Sequence, residues 1–300
     1  MRKCLLASRL VLAAGRKWAR DVRHSQPMDL GLSGKRALLV GAGRGLGGAA
    51  AVCLARERAS VALVARTRSA VEERARLCRE AGAPQTLAIA ADATDPAQLE
   101  RAVREATSGL GGLDILVTLV GGSQPGGVEM SDAEWSTGLD RNLWPAIRST
   151  CLALPFLEAS ARERGALPPT SVDAPGSRQQ SVILHVASIW GREGGGAMSY
   201  NVAKAALISL AHEQARELAP RGVRVLSIAP GSILHPGGAW ERRLRSDPDG
   251  IAQFVRREIP FGRFGTAEEV GDAIALLCSP RASWVAGACV VVDGGQSRSF

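Results

Sequence analysis

From Lys35 onward, short apolar runs and longer mixed stretches alternate along the chain. The runs are RALLV (36–40), SVALVA (60–65), TLAIAA (86–91), LDILVT (113–118), SVILHVA (181–187), VRVLSI (223–228) and CVVVD (289–293). Between them, residues 45–57, 69–81, 95–108, 131–163, 199–219 and 266–278 read as helices. The runs do not alternate strictly between polar and apolar residues, as expected of strands buried on both faces. Repeated strand-then-helix units predict a doubly wound α/β domain over 28–300, a seven-stranded parallel sheet flanked by helices. Two segments break the rhythm. GALPPTSVDAPGSRQQ (165–180) is rich in Pro, Ser and Gly and reads as a surface loop. GSILHPGGAWERRLRSDPDG (231–250) follows a strand and runs into a short amphipathic helix near 251–258. A long connection at a strand's carboxyl end is a natural substrate lid, here 231–258.

Composition narrows the class without changing that picture. The chain has 300 residues, 46% hydrophobic and 22% charged, ordinary for a globular protein with a sizeable core. Six cysteines without a C-x-x-C pair and four scattered histidines give no disulfide framework and no metal site, and favour a reducing compartment. The net charge of +8 is uneven: residues 1–27 carry seven Arg or Lys against Asp21 alone, while the rest carries 30 basic and 28 acidic residues. A nearly neutral body argues against a nucleic-acid partner. The basic segment 1–27 suits either a disordered extension upstream of a start at Met28 or a mitochondrial presequence. Its apolar run, Cys4–Ala14, is interrupted by Arg9 and too short to span a bilayer, so no integral membrane association is expected. The compartment expected is the cytoplasm, or the mitochondrial matrix if 1–27 is a presequence.

VGAGRGLGG (40–48) offers two phosphate-loop registers, Gly43/Gly45/Gly48 and Gly41/Gly45/Gly47. Such a loop turns sharply where the strand ends and presents backbone N–H groups at a helix start. The strand ends at Val40, which favours Gly41, Gly45 and Gly47, with Leu46 between them. A free ribose diol usually meets an acid at the end of the second strand. Ala65 stands there, with Arg66 next and Arg44 in the loop. Arginine forks suit a 2′-phosphate, so NADP(H) is preferred and NAD(H) is the alternative.

SYNVAKAALISLAHEQARELA (199–219) places Tyr200, the only tyrosine, and Lys204 on one helical face. An ammonium beside a phenol favours the phenolate, which would make Tyr200 a better acid–base group at neutral pH. Ser188, just past the 181–187 strand, is placed to hydrogen-bond a substrate carbonyl.

In this order the glycine loop, Asp92, Asn142, Ser188, Tyr200/Lys204, APGSI (229–233) and the tail PFGRFGTAEEVGDAIALLCSPRASWVAGACVVVDGGQ resemble the short-chain dehydrogenase/reductase family over about residues 30–298, most closely its bacterial 3-oxoacyl-carrier-protein reductase type. The resemblance implies a single-domain Rossmann fold and an oxidoreductase transferring a hydride between a nicotinamide and a carbonyl/alcohol pair. It implies Tyr200 as general acid or base, Lys204 as its modulator and ribose ligand, and Ser188 as the group orienting the substrate oxygen. Asn142 would hold a water linking Lys204 to solvent. Asp92 and Ala93 would meet the adenine, and Pro230, Gly231 and Ile233 the nicotinamide. Partners implied are a small-molecule substrate, carrier-linked or free, and further copies of the chain in a dimer or tetramer built on 143–163, 199–219 and the last strand.

Three positions depart from the family pattern. Val40 replaces a threonine before the first glycine. TLVG (118–121) stands in place of Asn-Asn-Ala-Gly, so Thr118 must steady the central strand with a hydroxyl bonded to backbone, and the resemblance also places it among the cofactor-binding residues. His235 occupies a position where a threonine often touches the cofactor. The altered TLVG leaves open a second function, a catalytically silent nucleotide sensor or scaffold of the same fold. Trp190 and Trp240 suggest an apolar substrate body, although Trp240 could equally anchor the lid. Arg242, Arg243 and Arg245 could meet an acidic carrier or be solvated.

Overall fold

The computed structural model describes residues 29–123, 126–166 and 176–299. The segment 1–27 and most of the 165–180 loop lie outside these described residues. Among them, the apolar runs become β1 (Arg36–Val40), β2 (Ser60–Ala65), β3 (Thr86–Ala90), β4 (Ile115–Thr118), β5 (Ser181–Val186), β6 (Val223–Pro230) and β9 (Cys289–Val292). They form one parallel sheet in the order β3-β2-β1-β4-β5-β6-β9. Burial follows position in that order. Every residue of β4, β5 and β6 is buried, whereas the edge strands β3 and β9 are mostly half-buried. Central strands with no solvent face need no polar alternation, which is the pattern the sequence carries.

Helices α1 (Gly45–Arg56), α2 (Arg68–Ala81), α3 (Pro96–Leu110), α4 (Asp132–Asn142), α5 (Trp144–Glu163), α6 (Met198–Leu218) and α9 (Ala267–Cys278) connect the strands. Leu99 and Val103 of α3, Leu157 of α5, and Ala211 and Ala215 of α6 pack with Leu38, Leu116, Ile183 and Val225 in one core. Helices α1, α2 and α9 pack together apart from that core. Small residues bring α1 and α9 close: a Cβ on Gly271 would lie 2.8 Å from the Cys53 sulfur and 3.1 Å from the Ala49 backbone.

The stretch read as one helix over 131–163 is two. Leu143 leaves helical geometry (φ −120°, ψ −54°), and Pro145 sits in the first turn of α5. Proline cannot donate to the preceding turn but fits the first turn of a new helix. The lid likewise holds two helices, α7 (Ala239–Ser246) and α8 (Pro248–Glu258), where the sequence suggested one near 251–258. Asp247 caps α8 by accepting from the Gly250 N–H at 2.9 Å. The lid leaves through β7 (Ile233–Leu234) and returns through β8 (Gly265–Thr266), which pair in parallel. Sheet order reverses between β1 and β4, so the crevice beyond their carboxyl ends is the natural ligand site.

Candidate active site

The backbone at the exit of β1 selects one glycine register. Gly41 has φ +102°, its N–H donates to the Val64 carbonyl at 2.9 Å, and a Cβ there would press within 2.9 Å of the Leu119–Val120 peptide. Gly45 has φ +56°, and a Cβ on Gly47 would overlap the Gly41 carbonyl oxygen. Glycine is therefore required at 41, 45 and 47. Gly43 is also held bare, since a Cβ there would lie 2.8 Å from the Ala65 Cβ, whereas Gly48 faces only the flexible end of Arg74, so it is the third glycine that separates the registers. The first turn of α1 has no side-chain cap and no acidic residue, leaving its N–H groups free for an outside anion.

A cavity of about 370 Å³ beside this loop is lined by Gly41, Arg44, Arg66, Asp92 and Ala93. Asp92 is turned into its own loop, where its Oδ1 accepts from the Thr94 N–H at 2.9 Å and hydroxyl at 2.8 Å. A larger cleft of about 1530 Å³ is lined by Leu46, Ser188, Tyr200, Pro230, Gly231 and Ile233, with Gly122 in the walls of both. Three glycine-only positions, an uncapped helix start and two arginines beside adjoining cavities fit an anionic dinucleotide.

Ser188 leaves β5 in extended conformation and begins a one-turn helix, Ile189–Gly191, accepting from the Trp190 N–H at 3.2 Å. It lines the same cleft as Tyr200. Lys204, one turn along α6, is buried; its ammonium donates to the Val186 carbonyl at 2.9 Å and lies 5.6 Å from the Tyr200 ring centroid. Burial lowers the Lys204 pKa to about 8. Tyr200 behaves differently from the sequence expectation. Burial raises its pKa, and Ser188 alone opposes the shift, because the Lys204 ammonium is turned onto Val186.

Asn142, at the end of α4, is buried and committed to backbone. Its Oδ1 accepts from the Gly122 N–H at 2.9 Å, and its Nδ2 donates to the carbonyls of Gly122 at 3.2 Å and Gly138 at 2.9 Å. Thr118 also differs from expectation. Its hydroxyl meets no backbone group; it lies 2.7 Å from His185 Nδ1, directly across the β4–β5 register. His185 Nε2 lies 3.0 Å from the side-chain Oε1 of Gln214, which only a donor satisfies, so Nδ1 accepts from Thr118. Burial lowers the His185 pKa to about 4, keeping the ring neutral. Thr118 thus ties β4 to β5 and α6 and lines neither cavity.

Several positioning residues escaped the sequence reading. A Cβ on Gly121 would lie 2.8 Å from Asn142 Oδ1 and 3.0 Å from Lys204 Nζ, and one on Gly191 would lie 2.5 Å from the Lys204 carbonyl carbon. Both glycines let backbone close around Lys204. Gln296 pins the loop after β6, accepting from the Ser232 N–H at 2.8 Å and donating to the Ser232 hydroxyl at 2.9 Å. No local signal marks it. In the lid, Trp240 stacks on Phe254 at 4.7 Å and lies 5.1 Å from Phe264, while also lining the cleft. It anchors the lid and forms wall.

His235 carries the lid to the glycine loop. Its ring atoms lie 2.8–3.1 Å from where a Gly45 Cβ would stand, and its Nδ1 is 3.1 Å from the Pro236 carbonyl oxygen.

A family model described as enoyl-(acyl carrier protein) reductase matches residues 41–297. The 3-oxoacyl-(acyl-carrier-protein) reductase FabG of Vibrio cholerae is 31% identical, covering 89% of this chain and 99% of its own. The L-sorbose reductase of Gluconobacter frateurii, solved with NADPH and L-sorbose, is 30% identical with a TM-score of 0.80, covering 91% of this chain and all of its own. A 7α-hydroxysteroid dehydrogenase solved with NADH and a 7-oxo bile acid is 30% identical with a TM-score of 0.77, covering 90% and 97%. With glycine loop, sheet order and these relatives in agreement, the chain belongs to the short-chain dehydrogenase/reductase family and is an NAD(P)-dependent oxidoreductase of CH–OH/C=O groups.

Proposed function

We propose that the chain is an NADP(H)-dependent carbonyl reductase or alcohol dehydrogenase whose proton is handled by Ser188, Tyr200 and Lys204. The observation that carries this reading is the meeting of the three side chains: a phenol and a serine lining one cleft, and a buried amine one helical turn from the phenol. The dinucleotide, when bound, supplies or takes the hydride. As negative charge builds on the substrate oxygen during reduction, Tyr200 breaks its O–H bond and passes the proton to that oxygen. Ser188 holds the same oxygen by a hydrogen bond. On leaving the Val186 carbonyl, to which it donates in the structure, the Lys204 ammonium stabilises the remaining phenolate, and its pKa of about 8 suits proton exchange near neutral pH. Asn142 acts as a positioning residue, holding Gly122 and α4 against this group.

Arg44 and Arg66 support NADP(H) over NAD(H), since neither pairs with a carboxylate among the described residues. Asp92 and Ala93 belong to the adenine end, and Pro230, Gly231 and Ile233 to the nicotinamide end. The substrate is a small carbonyl or alcohol compound with an apolar body suited to Trp190, Trp240 and Phe254. A panel of free and carrier-linked carbonyls, assayed with NADPH and NADH side by side, tests the reading. Reduction favouring NADPH by about tenfold or more in kcat/KM is expected, the scale of one charge-assisted hydrogen bond. An NADH preference removes the role of Arg44 and Arg66, and binding without turnover on any substrate leaves only the silent sensor.

The same reading includes a homo-oligomer. Trp144 on α5 and Met198 and Val202 on α6 are exposed apolar residues on the two helices named for assembly. Light scattering at micromolar concentration is expected to give at least twice the chain mass; a monomer there removes the oligomer.

A further inference from the structure

We infer that Arg243 of the lid binds a carboxylate on the substrate, an inference that rests on the reductase reading above. The favoured substrate is then an oxo acid with an apolar body between its ketone and a single negative charge. The first observation is the side that α7 turns to the cleft. Ala239, Trp240, Arg242, Arg243 and Ser246 line it, whereas Glu241, Leu244 and Arg245 do not. Helical spacing divides the two sets cleanly between opposite faces. Of the three arginines in this short run, two therefore face the ligand space and one faces away. On the far side Arg245 is paired with Glu241 at 2.9 Å.

The two inward arginines differ in what they already hold. Arg242 donates to the Gly237 carbonyl at 2.8 Å and so ties α7 to the turn before it. Arg243 is exposed, and among the described residues it pairs with no carboxylate and donates to no carbonyl. Its Cζ lies 5.0 Å from the ring centroid of Trp240, which in turn stacks on Phe254 at 4.7 Å. A guanidinium over an aromatic face is held there by the ring's quadrupole and keeps its N–H edge for another partner. The lid's aromatic cluster thus positions a cation without using its hydrogen bonds.

The acids of the cleft wall are already matched. Glu193 accepts from the backbone N–H groups of Arg298 at 2.8 Å and Ser299 at 2.9 Å. Glu258 pairs with Arg257 at 2.6 Å and with Arg298 at 3.5 Å. The wall holds Arg242, Arg243 and Arg298 against these two glutamates, a surplus of one positive charge. One negative charge on the ligand balances it, and a carboxylate matches the guanidinium fork. Tyr200 lines the same cleft, so a single ligand can set its ketone at the phenol and its carboxylate at Arg243, with Trp240 and Phe254 against its body. The phosphodiester of a carrier-linked arm bears the same charge. The free acid is favoured because Arg243 sits among aromatic rings on the cleft side of α7, while Arg245 on the opposite side is taken by Glu241.

The test measures kcat and KM, with NADPH and NADH each in excess, for oxo acids of increasing spacer length, their methyl esters and the matching phosphopantetheine thioesters. It compares the full chain with its Arg243→Gln and Arg245→Gln variants. At the best spacer length the acid should exceed its ester in kcat/KM by about tenfold, the scale of one charge-assisted hydrogen bond at an exposed site. Arg243→Gln should bring the acid-to-ester ratio to within about twofold of one, chiefly through KM, because a contact far from the reacting carbon is made equally before and during the transition state. Arg245→Gln removes the same charge from the opposite face and should leave the ratio as it is in the natural chain. A ratio near one in the natural chain, or an equal fall in both variants, would overturn the carboxylate site and leave the reductase reading intact. A preference for the thioester that Arg243→Gln abolishes would give the arginine to a carrier-linked arm and overturn the free acid. Absence of turnover on every acid, ester and thioester would remove the reductase reading and this inference together.

Discussion

Tyr200→Phe is expected to lower turnover by at least about a hundredfold while leaving NADPH affinity within about twofold. The scale is that of removing a positioned acid–base group. The phenyl ring keeps its volume in the cleft wall and its place above Lys204, so only the proton and its oxygen are lost. Measuring kcat and the dissociation constant separately divides chemistry from binding. Because burial holds the natural phenol protonated, reduction should persist well above neutral pH, and oxidation should demand the higher pH. Near-natural turnover in the variant would mean that another group delivers the proton.

The second large effect lies at the opposite end of the sheet. Asp114→Ala is expected to cost about 3 kcal/mol of stability, the lower end of the range for stranding the partners of a buried ion pair. Asp114 is 1% exposed at the entry to β4, where it accepts from the Arg36 backbone N–H at 2.9 Å and side chain at 2.8 Å, and from Arg164 at 2.6 Å. It thereby fastens β1, β4 and the end of α5. Burial alone would raise its pKa, but hydrogen bonds from Arg36 and Arg164 outweigh burial and hold it below the usual carboxylate range. A depressed carboxylate stabilises the fold above its ordinary pKa near about 3.9, and that contribution is lost as pH falls through the lower folded value. Removing Asp114 would leave Arg36, Arg164 and the buried Lys35 facing one another; burial and then Arg164 already lower Lys35 to about 8. For a domain of this size the loss corresponds to a fall in Tm of roughly 6–12 °C. Urea and thermal unfolding of the natural chain and the variant at pH 7 measure it; a change under about 1 kcal/mol would show that the arginines find water without strain.

Strand positions were legible because burial on two faces leaves an unmistakable apolar run, and all seven sheet strands lie within or beside the runs read from sequence. The break at Leu143 carried a signal in Pro145 that the apolar pattern on either side concealed. Helix α7 was missed because AWERRLRS holds only Trp240 and Leu244 as large apolar residues, too few to define a face. Ser188, Tyr200 and Lys204 could be picked out because each follows a strand or shares a helical turn. Gly121, Gly191 and Gln296 could not, since their partners lie far along the chain and only the crossing of elements brings them together. Thr118 illustrates the same limit. Its type showed a lost amide, but which neighbour would replace that amide depended on the pairing of β4 with β5, which put His185 opposite.

The parallel pairing of β7 with β8 fixes two points of the chain side by side at the rim of the cleft, with thirty residues spent between them. Whatever covers the substrate is thus tethered at adjacent ends, and its length and composition can drift without shifting the strands beneath. A molecule built this way can change its clientele by rewriting its awning, while the machinery that moves protons stays as it was.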